Sequence, residues 1–383
     1  MLEIIKKADR KEVFFMTIII ILIGILSIIP TGFEKQIYMN SEGVKAKVIS
    51  TENSGMWTTG LVTQGDQECQ IEILSGQFKG EQISGINMLQ GKLEFDKIFE
   101  EGDTVWVLIE KNMDEEIIFA NIIDYYRVDK EILLVAVFVI CIILFSGFTG
   151  VRTIMSFALA LLCIWKILIP SMLNGIHPML IALLVGNAIT IITLLLVAGF
   201  TKKAYCAIGA AVICSFMTCL LAHLFGNLFE IHGAVMDWSE SLLYAGYANL
   251  NLTALFQAGI YLASSGAILD LAIDISAALD EVSKANPLLS RAELMKSGLT
   301  IGKSIVGSQT TTLLLAYMGS YITIMMVYMA QGTPFMSILN SQKISSEILH
   351  TFVGCIGLVL VSPLTSFICS LAYKKEVPSS ELV

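Results

Sequence analysis

Ile132-Leu-Leu-Val-Ala-Val-Phe-Val-Ile-Cys-Ile-Ile-Leu-Phe145 is an unbroken apolar run, and it lies within a longer apolar segment, 131–149. A helix of about 20 predominantly apolar residues is long enough to cross the hydrocarbon core of a bilayer. Comparable runs recur before and after this one. Together they predict an α-helical polytopic membrane protein with eight spans, at 13–30, 131–149, 153–173, 178–200, 204–226, 253–277, 303–330 and 347–372.

The distribution of cations predicts the orientation, because cytoplasmic loops carry an excess of Lys and Arg. If both ends lie in the cytoplasm, the short external loops contain only Lys343, and 31–130 is extracytoplasmic. Met16 to Ile29 is rich in Ile and is not followed by an Ala-x-Ala-like cleavage site, so we expect a retained signal anchor. The cytoplasmic cations are then Lys6, Lys7, Arg10, Lys11, Arg152, Lys202, Lys203, Lys284, Arg291, Lys296, Lys303, Lys374 and Lys375.

The predicted organisation has four parts along the chain. Residues 1–30 are the cytoplasmic N-terminus and first span, and 31–130 form an extracytoplasmic β domain. A seven-span membrane domain occupies 131–375, and 376–383 are a cytoplasmic tail.

Segment 31–130 alternates apolar and polar residues, as in Val44-Lys-Ala-Lys-Val48 and Cys69-Gln-Ile-Glu-Ile73. This period of two is typical of strands with one buried face. Roughly five such strands with Gly-containing turns predict a small OB-like barrel, and a β-sandwich is the alternative. Such a domain is a ligand-binding module, a spacer or an assembly module.

Charge and cysteine usage exclude several function classes. Segment 31–130 holds 9 Lys and Arg against 18 Asp and Glu, which accounts for the net charge of −9 of the whole chain. An acidic module argues against a nucleic-acid partner. Cys69 is the one cysteine in this segment, so a disulfide within it is excluded, and no CxxC metal spacing occurs.

Two carboxylates interrupt the apolar run at 253–277, namely Asp270 and Asp274. Positions i and i+4 share a helix face, and a carboxylate in hydrocarbon usually faces a partner, a cavity or a solute path. Helices six and seven run antiparallel, so polar residues of span seven should lie at a similar depth. The sequence predicts a polar solute or ion site formed by Asp270, Asp274, Ser264, Ser265, Ser308, Gln309 and Thr312.

Lys303 is expected to pair with Asp274 at the inner mouth of that site, as a gating residue. Two alternatives stay open. In the first, the aspartates lie at the cytoplasmic end of the helix and are hydrated by water among the lipid headgroups. In the second, the polar residues only join the two helices by hydrogen bonds.

Enzymatic signatures are absent from the sequence, so no catalytic residues, metal site or cofactor is predicted. There is no H-E-x-x-H helix. Gly302-Lys303-Ser304 lacks the upstream glycine of a phosphate-binding loop. Glu347 and His350 have i, i+3 spacing, but a second pair to complete a bridged metal site is missing, and their position predicts an interfacial location.

Several segments resemble the YibE/F family of bacterial membrane proteins: Asp124-Tyr-Tyr-Arg127, Gly147-Phe-Thr-Gly-Val-Arg152, Gly186-Asn187 and the stretch from Ser264 to Ser276. The order of one span, an external domain and seven further spans is similar to the YibE-type form. The resemblance implies a multi-pass protein of the cell membrane, with a role described only as transport. It also implies a YibF-type relative as partner, with a homodimer as the alternative.

The expected function is therefore secondary transport or export of a small polar or ionic solute. The competing expectation is a membrane scaffold or sensor that does not transport and whose external domain binds a partner or an envelope ligand. The bilayer itself is the remaining expected partner.

Overall fold

The computed structural model describes residues 10–33, 40–112 and 116–373, without the side chain of Ser320. Contacts divide the chain into two compact units, one comprising 34–141 and the other 1–33 together with 142–383. The predicted cytoplasmic residues Lys6, Lys7, Lys374 and Lys375 and the tail 376–383 lie outside the described residues.

The smaller unit is a β-sheet, as its alternating sequence predicts. Each long strand turns every second side chain inward, since successive side chains of a strand point to opposite faces. Val44, Ala46 and Val48 are buried in this way on the first strand. The strands are β1 (Ser41–Glu52), β2 (Met56–Thr59), β3 (Val62–Ile73), β4 (Gln82–Gln90), β5 (Thr104–Lys111) and β6 (Ile117–Tyr125).

Five of these strands close into a barrel-like sheet. β1 pairs with β5 on one side and with β3 on the other, and β3 continues to β4. The remaining gap is closed by β6, which is antiparallel to β5 and parallel to β4. The short β2 pairs only with β3 among the described strands. A single closed sheet replaces the two sheets that a sandwich would need.

A polar residue lies at the centre of this barrel. Gln67 is fully buried, and its side-chain amide donates to Asn53 Oδ1 at 2.9 Å and to the Phe99 carbonyl at 2.8 Å. Its oxygen accepts from Asn87 Nδ2 and from the Phe99 amide, both at 3.0 Å. A buried amide is tolerated because its donors and acceptor are satisfied, and here these bonds hold the segment containing Phe99 against the sheet.

The larger unit is helical. Its long helices match the predicted apolar runs, since an apolar segment in a bilayer must satisfy its backbone groups internally. The helices are α1 (Arg10–Ile28), α2 (Val128–Cys163, which begins in the smaller unit), α3 (Ile169–Leu173), α4 (Pro178–Ala198), α5 (Lys202–Leu228), α6 (Ser239–Tyr244), α7 (Leu252–Ala285), α8 (Arg291–Ala330), α9 (Phe335–Leu339) and α10 (Gln342–Tyr373).

Two of the long helical stretches are broken. In α2, Gly147 has φ 56° and ψ −126°, and a β-carbon at Gly150 would lie 2.6 Å from the carbonyl oxygen of Ile142. Only a glycine fits that close approach of backbone to backbone. The predicted spans 131–149 and 153–173 meet at this break. In α8, Arg291–Gly319 and Tyr321–Ala330 are bent by 63°.

These breaks affect the number of spans. Within the described residues, six helices are long and apolar enough to cross a membrane, or seven if the bent α8 is one span. The stretch Val128–Leu173 counts once in that number although it is 46 residues long. The structure thus supports a mostly helical protein with about six candidate spans, where the sequence predicted eight.

α7 lies at the centre of the helical unit and packs against α4, α5, α8 and α10. Its buried positions include Ile268, Leu271 and Ile275, and they meet small residues of α5 such as Ala210 and Ala211. Small side chains let membrane helices approach closely. This packing decides which face of α7 stays free.

Candidate functional site

The predicted site residues of α7 and α8 lie on an exposed surface of the chain. We call this surface the α7–α8 polar face and define it by Asp270 and Asp274 on α7 and by Lys303, Ser308, Gln309 and Thr312 on α8. Gln309 is half-buried and the other five residues are exposed.

The pattern of burial along α7 explains why the aspartates point outward. Ser264, Ile268 and Ile275 are buried, whereas Asp270 and Asp274 are exposed. At 3.6 residues per turn, the buried residues and the aspartates lie on different faces of the helix, about 120° apart. Asp270 and Asp274 are therefore both on the exposed side of α7.

The two helices place their polar residues at similar depths. A β-carbon at Gly302 would lie 3.3 Å from Cδ1 of Ile275, so α7 and α8 touch there. With a rise of about 1.5 Å per residue, Asp270 is about 8 Å and Ser308 about 9 Å along the helices from that contact. Asp274 and Lys303 are each one residue from the contact, on the side of Asp270 and Ser308 respectively. Asp270 and Ser308 therefore lie at similar distances from the contact between α7 and α8.

The structure does not join these residues as expected. Ser308 donates to the Ile305 carbonyl at 3.0 Å and Thr312 to the Ser308 carbonyl at 3.1 Å. Among the described residues, no hydrogen bond reaches Asp270 from Ser308 or Gln309, and no ion pair joins Asp274 to Lys303. These residues therefore form an open polar surface in the single chain, and the solute or ion site between spans six and seven stays a prediction.

Ser264 and Ser265 are also absent from that surface's hydrogen bonding. Ser264 is buried and donates to the Ile260 and Tyr261 carbonyls, at 3.0 Å and 2.9 Å, and Ser265 donates to the Leu262 carbonyl at 2.7 Å. These are bonds to the preceding turn of the same helix, which serine side chains form commonly. Ser264 instead lies at the contact of α7 with α10, near Gly354.

A second polar constellation, which the sequence interpretation placed at the membrane interface, lines a cavity of about 610 Å³. We call it the Glu347 cavity. Its walls come from the bend of α8, the start of α10 and the loop before α6. The lining residues are Asp237, Tyr317, Tyr321, Thr323, Ile324, Val327, Lys343, Glu347 and His350.

Paired side chains organise this cavity. The Tyr321 hydroxyl lies close to the Glu347 carboxylate. The His350 ring stacks on Tyr317 with 4.3 Å between centroids, and its Nδ1 lies 4.0 Å from Oε1 of Glu347. Lys343 Nζ forms an ion pair with Oδ1 of Asp237 at 2.6 Å.

The sequence contained part of the signal for this cavity. Tyr317 and Tyr321 have i, i+4 spacing on α8, and Glu347 and His350 have i, i+3 spacing on α10. Each pair shares a helix face. Local spacing could not show that the two faces oppose each other, because that depends on how α8 and α10 pack.

A family model described as YibE/F-like protein matches residues 134–375 of the chain. The chain belongs to this family. The matched region holds both the α7–α8 polar face and the Glu347 cavity, whereas nearly all of the β unit precedes it. No curated protein and no solved structure matches the chain significantly.

The segments that carried the resemblance to the YibE/F family have structural roles. Gly147 is the break in α2, and Arg152 pairs with Glu12 of α1. A β-carbon at Gly186 would lie 2.6 Å from the Tyr261 hydroxyl, so α4 and α7 need a glycine there.

One further set of polar side chains lies between two helices of this unit. His223, Asn227 and Gln257 form a closed set of hydrogen bonds between α5 and α7, at 3.1–3.3 Å, which joins the helices. Among the described residues, no group of three or more His, Cys, Asp or Glu side chains could hold a metal ion.

Proposed function

We propose that this YibE/F-like protein is a secondary transporter or exporter of a small polar or ionic solute, without enzymatic activity. In this proposal it crosses the cell membrane eight times, with the two halves of Val128–Leu173 as separate spans. Both termini are cytoplasmic, and the β unit is an extracytoplasmic OB-like barrel. The α7–α8 polar face forms one wall of the solute path.

The exposure of Asp270 and Asp274 supports this proposal. Both carboxylates lie on the free face of an apolar helix, and the hydroxyl-bearing residues Ser308 and Thr312 of α8 are exposed as well. A charged side chain in contact with lipid tails costs at least about 2.5–3.5 kcal/mol. The face is therefore better suited to a water-filled path, with its second wall supplied by another chain.

A second copy of this chain, or a YibF-type relative, is the proposed source of that second wall. Gly266 and Gly307 lie exposed on the same side of α7 and α8, and a β-carbon at either would meet nothing within 4 Å. Small residues beside polar ones favour close contact between membrane helices.

The competing function is a scaffold or sensor that binds a partner through the β unit. Exposed apolar residues on the β unit favour it, such as Leu61 at 87% and Leu93 at 71% exposure. Deleting 40–120 separates the two functions. Retained activity supports transport, and complete loss with normal membrane insertion supports the scaffold or sensor.

Metabolite profiling of a deletion strain, complemented with the wild type or with variants, tests the transport proposal. We expect that Asp270→Asn does not restore the wild-type solute levels, although the protein is present in the membrane. Asp274→Asn should restore these levels in part. The matched control is Glu281→Gln on the same helix, which removes a carboxylate whose side chain is 75% exposed near the helix end.

The solute identified by profiling is then measured as flux into proteoliposomes. Full correction by an Asp270→Asn, Asp274→Asn double variant would contradict the transport proposal.

A further inference from the structure

We propose that the Glu347 cavity binds a small organic ammonium ion. The Glu347 carboxylate is its counter-ion, and the rings of Tyr317 and Tyr321 form an aromatic wall. This site is distinct from the α7–α8 polar face, and ligand binding there does not depend on whether the protein transports a solute.

The charges around Glu347 call for a cation. Its side chain is only 10% exposed. Lys343, the nearby cation, is held by Asp237. Among the described residues, no Lys or Arg forms an ion pair with Glu347. The Tyr321 hydroxyl lies near its carboxylate, the His350 ring lies 4.0 Å away, and Lys343 acts on it only at longer range. A buried carboxylate without a full counter-charge is costly, and a bound ammonium ion would offset that cost.

The aromatic residues suit an ammonium ion as well. A cation within about 6 Å of a tyrosine ring is attracted to the ring face, and this attraction strengthens when water is excluded. The Tyr317 ring is held in place by stacking on His350, with 30° between the ring planes. His350 Nε2 is buried and has no hydrogen-bond partner among the described residues. If the imidazole proton is on Nδ1, facing Glu347, Nε2 can accept a hydrogen bond from an N–H group of the ligand.

The shape of the cavity indicates an organic ligand rather than a bare ion. About 610 Å³ lies within the range of about 300–1,000 Å³ that is typical of small-molecule sites. Ile324 and Val327 provide an apolar wall that would accommodate an alkyl group. The described residues offer no three-ligand set for a metal ion. A short alkylammonium ion satisfies both the polar and the apolar walls.

The cavity also lies where α8 changes direction, since Tyr317 and Tyr321 flank the 63° bend. Interrupted helices commonly line solute sites in membrane proteins, because their backbone and side chains turn towards a cavity there.

The test uses the full-length protein in detergent and isothermal titration calorimetry with n-butylammonium chloride. We expect saturable binding to the wild type and none of n-butanol, which has the same alkyl chain without the charge. Glu347→Gln should weaken binding roughly tenfold or more, since loss of about 1.4 kcal/mol corresponds to that factor. Tyr317→Leu, which keeps the carboxylate, should also weaken it.

Glu281→Gln is the control and should bind n-butylammonium as the wild type does, because Glu281 does not line the cavity. Thermal unfolding of each variant shows whether it is folded. Absence of binding to the wild type, equal binding of n-butanol, or unchanged affinity in both folded variants, Glu347→Gln and Tyr317→Leu, would overturn the proposal. If the wild type binds n-butylammonium saturably and Asp270→Asn loses no transport, this inference stands and only the proposed function is refuted.

Discussion

Gly302 provides a sensitive test of the packing that positions the α7–α8 polar face. A β-carbon there would overlap Oγ of Ser362 on α10, lie 3.1 Å from its Cβ and lie 3.3 Å from Cδ1 of Ile275 on α7. Ser362 is buried, so a new methyl group has no free space to occupy. Gly302→Ala should therefore push α8 away from both neighbouring helices.

The magnitude follows from two opposing contributions. Overpacking a close-packed site costs about 1–3 kcal/mol, and replacing glycine by alanine within a helix recovers about 1 kcal/mol. We expect Gly302→Ala to lower the stability by about 0–2 kcal/mol. Gly307→Ala on the same helix meets nothing within 4 Å in the same chain, so in the detergent-solubilised monomer it should keep only the favourable contribution. The difference between the two variants should be about 1–3 kcal/mol.

Thermal unfolding in detergent measures this difference. Unfolding is monitored by the reaction of a maleimide dye with thiols that are buried in the folded protein, such as Cys214 and Cys369. The midpoint should fall for Gly302→Ala and stay or rise for Gly307→Ala. Adding Ser362→Ala removes the overlapping hydroxyl and should restore part of the loss. Equal midpoints for the two glycine variants would refute the close contact of α8 with α10.

Three further predictions concern the β unit and the topology. Gln67→Leu should destabilise the barrel by about 3 kcal/mol, because it leaves buried groups of Phe99 without partners; denaturant titration followed by circular dichroism measures this, and an unchanged midpoint would refute it. Burial opposes ionisation of Asp124, but bonds from Arg127 and Lys97 outweigh it and hold the pKa of this carboxyl below its ordinary value. The contribution of Asp124 to the stability of the protein is therefore present above the unfolded pKa of about 3.9 and is lost as the pH falls through the lower folded value. Asp124→Asn should make the stability depend less on pH between about pH 4 and pH 2. A cysteine introduced at Lys92 should react with an impermeant maleimide from outside intact cells, and one introduced at Lys203 should not. Cys69 stays unreactive because burial raises its pKa to about 11. The reverse labelling pattern would overturn the proposed topology.

The sequence by itself determined the classes of structure in this protein. Apolar runs such as 132–145 predict membrane helices because hydrophobic length is a local property. The alternation around Val44 and Cys69 likewise predicts strands with one buried face. The i, i+4 spacing of Asp270 and Asp274 was sufficient to place both carboxylates on one side of a helix.

Only the tertiary structure decided where those faces point and what they meet. In a chain this apolar, the sequence pattern separates lipid-facing from protein-facing positions poorly, because lipid tails are as apolar as a protein core. The packing of α7 against α4, α5 and α10 leaves Asp270 on the surface. The bend of α8 brings Tyr321 to Glu347, which lies 26 residues further along the chain. Contacts between residues so far apart depend on how whole helices pack, and no local pattern encodes them.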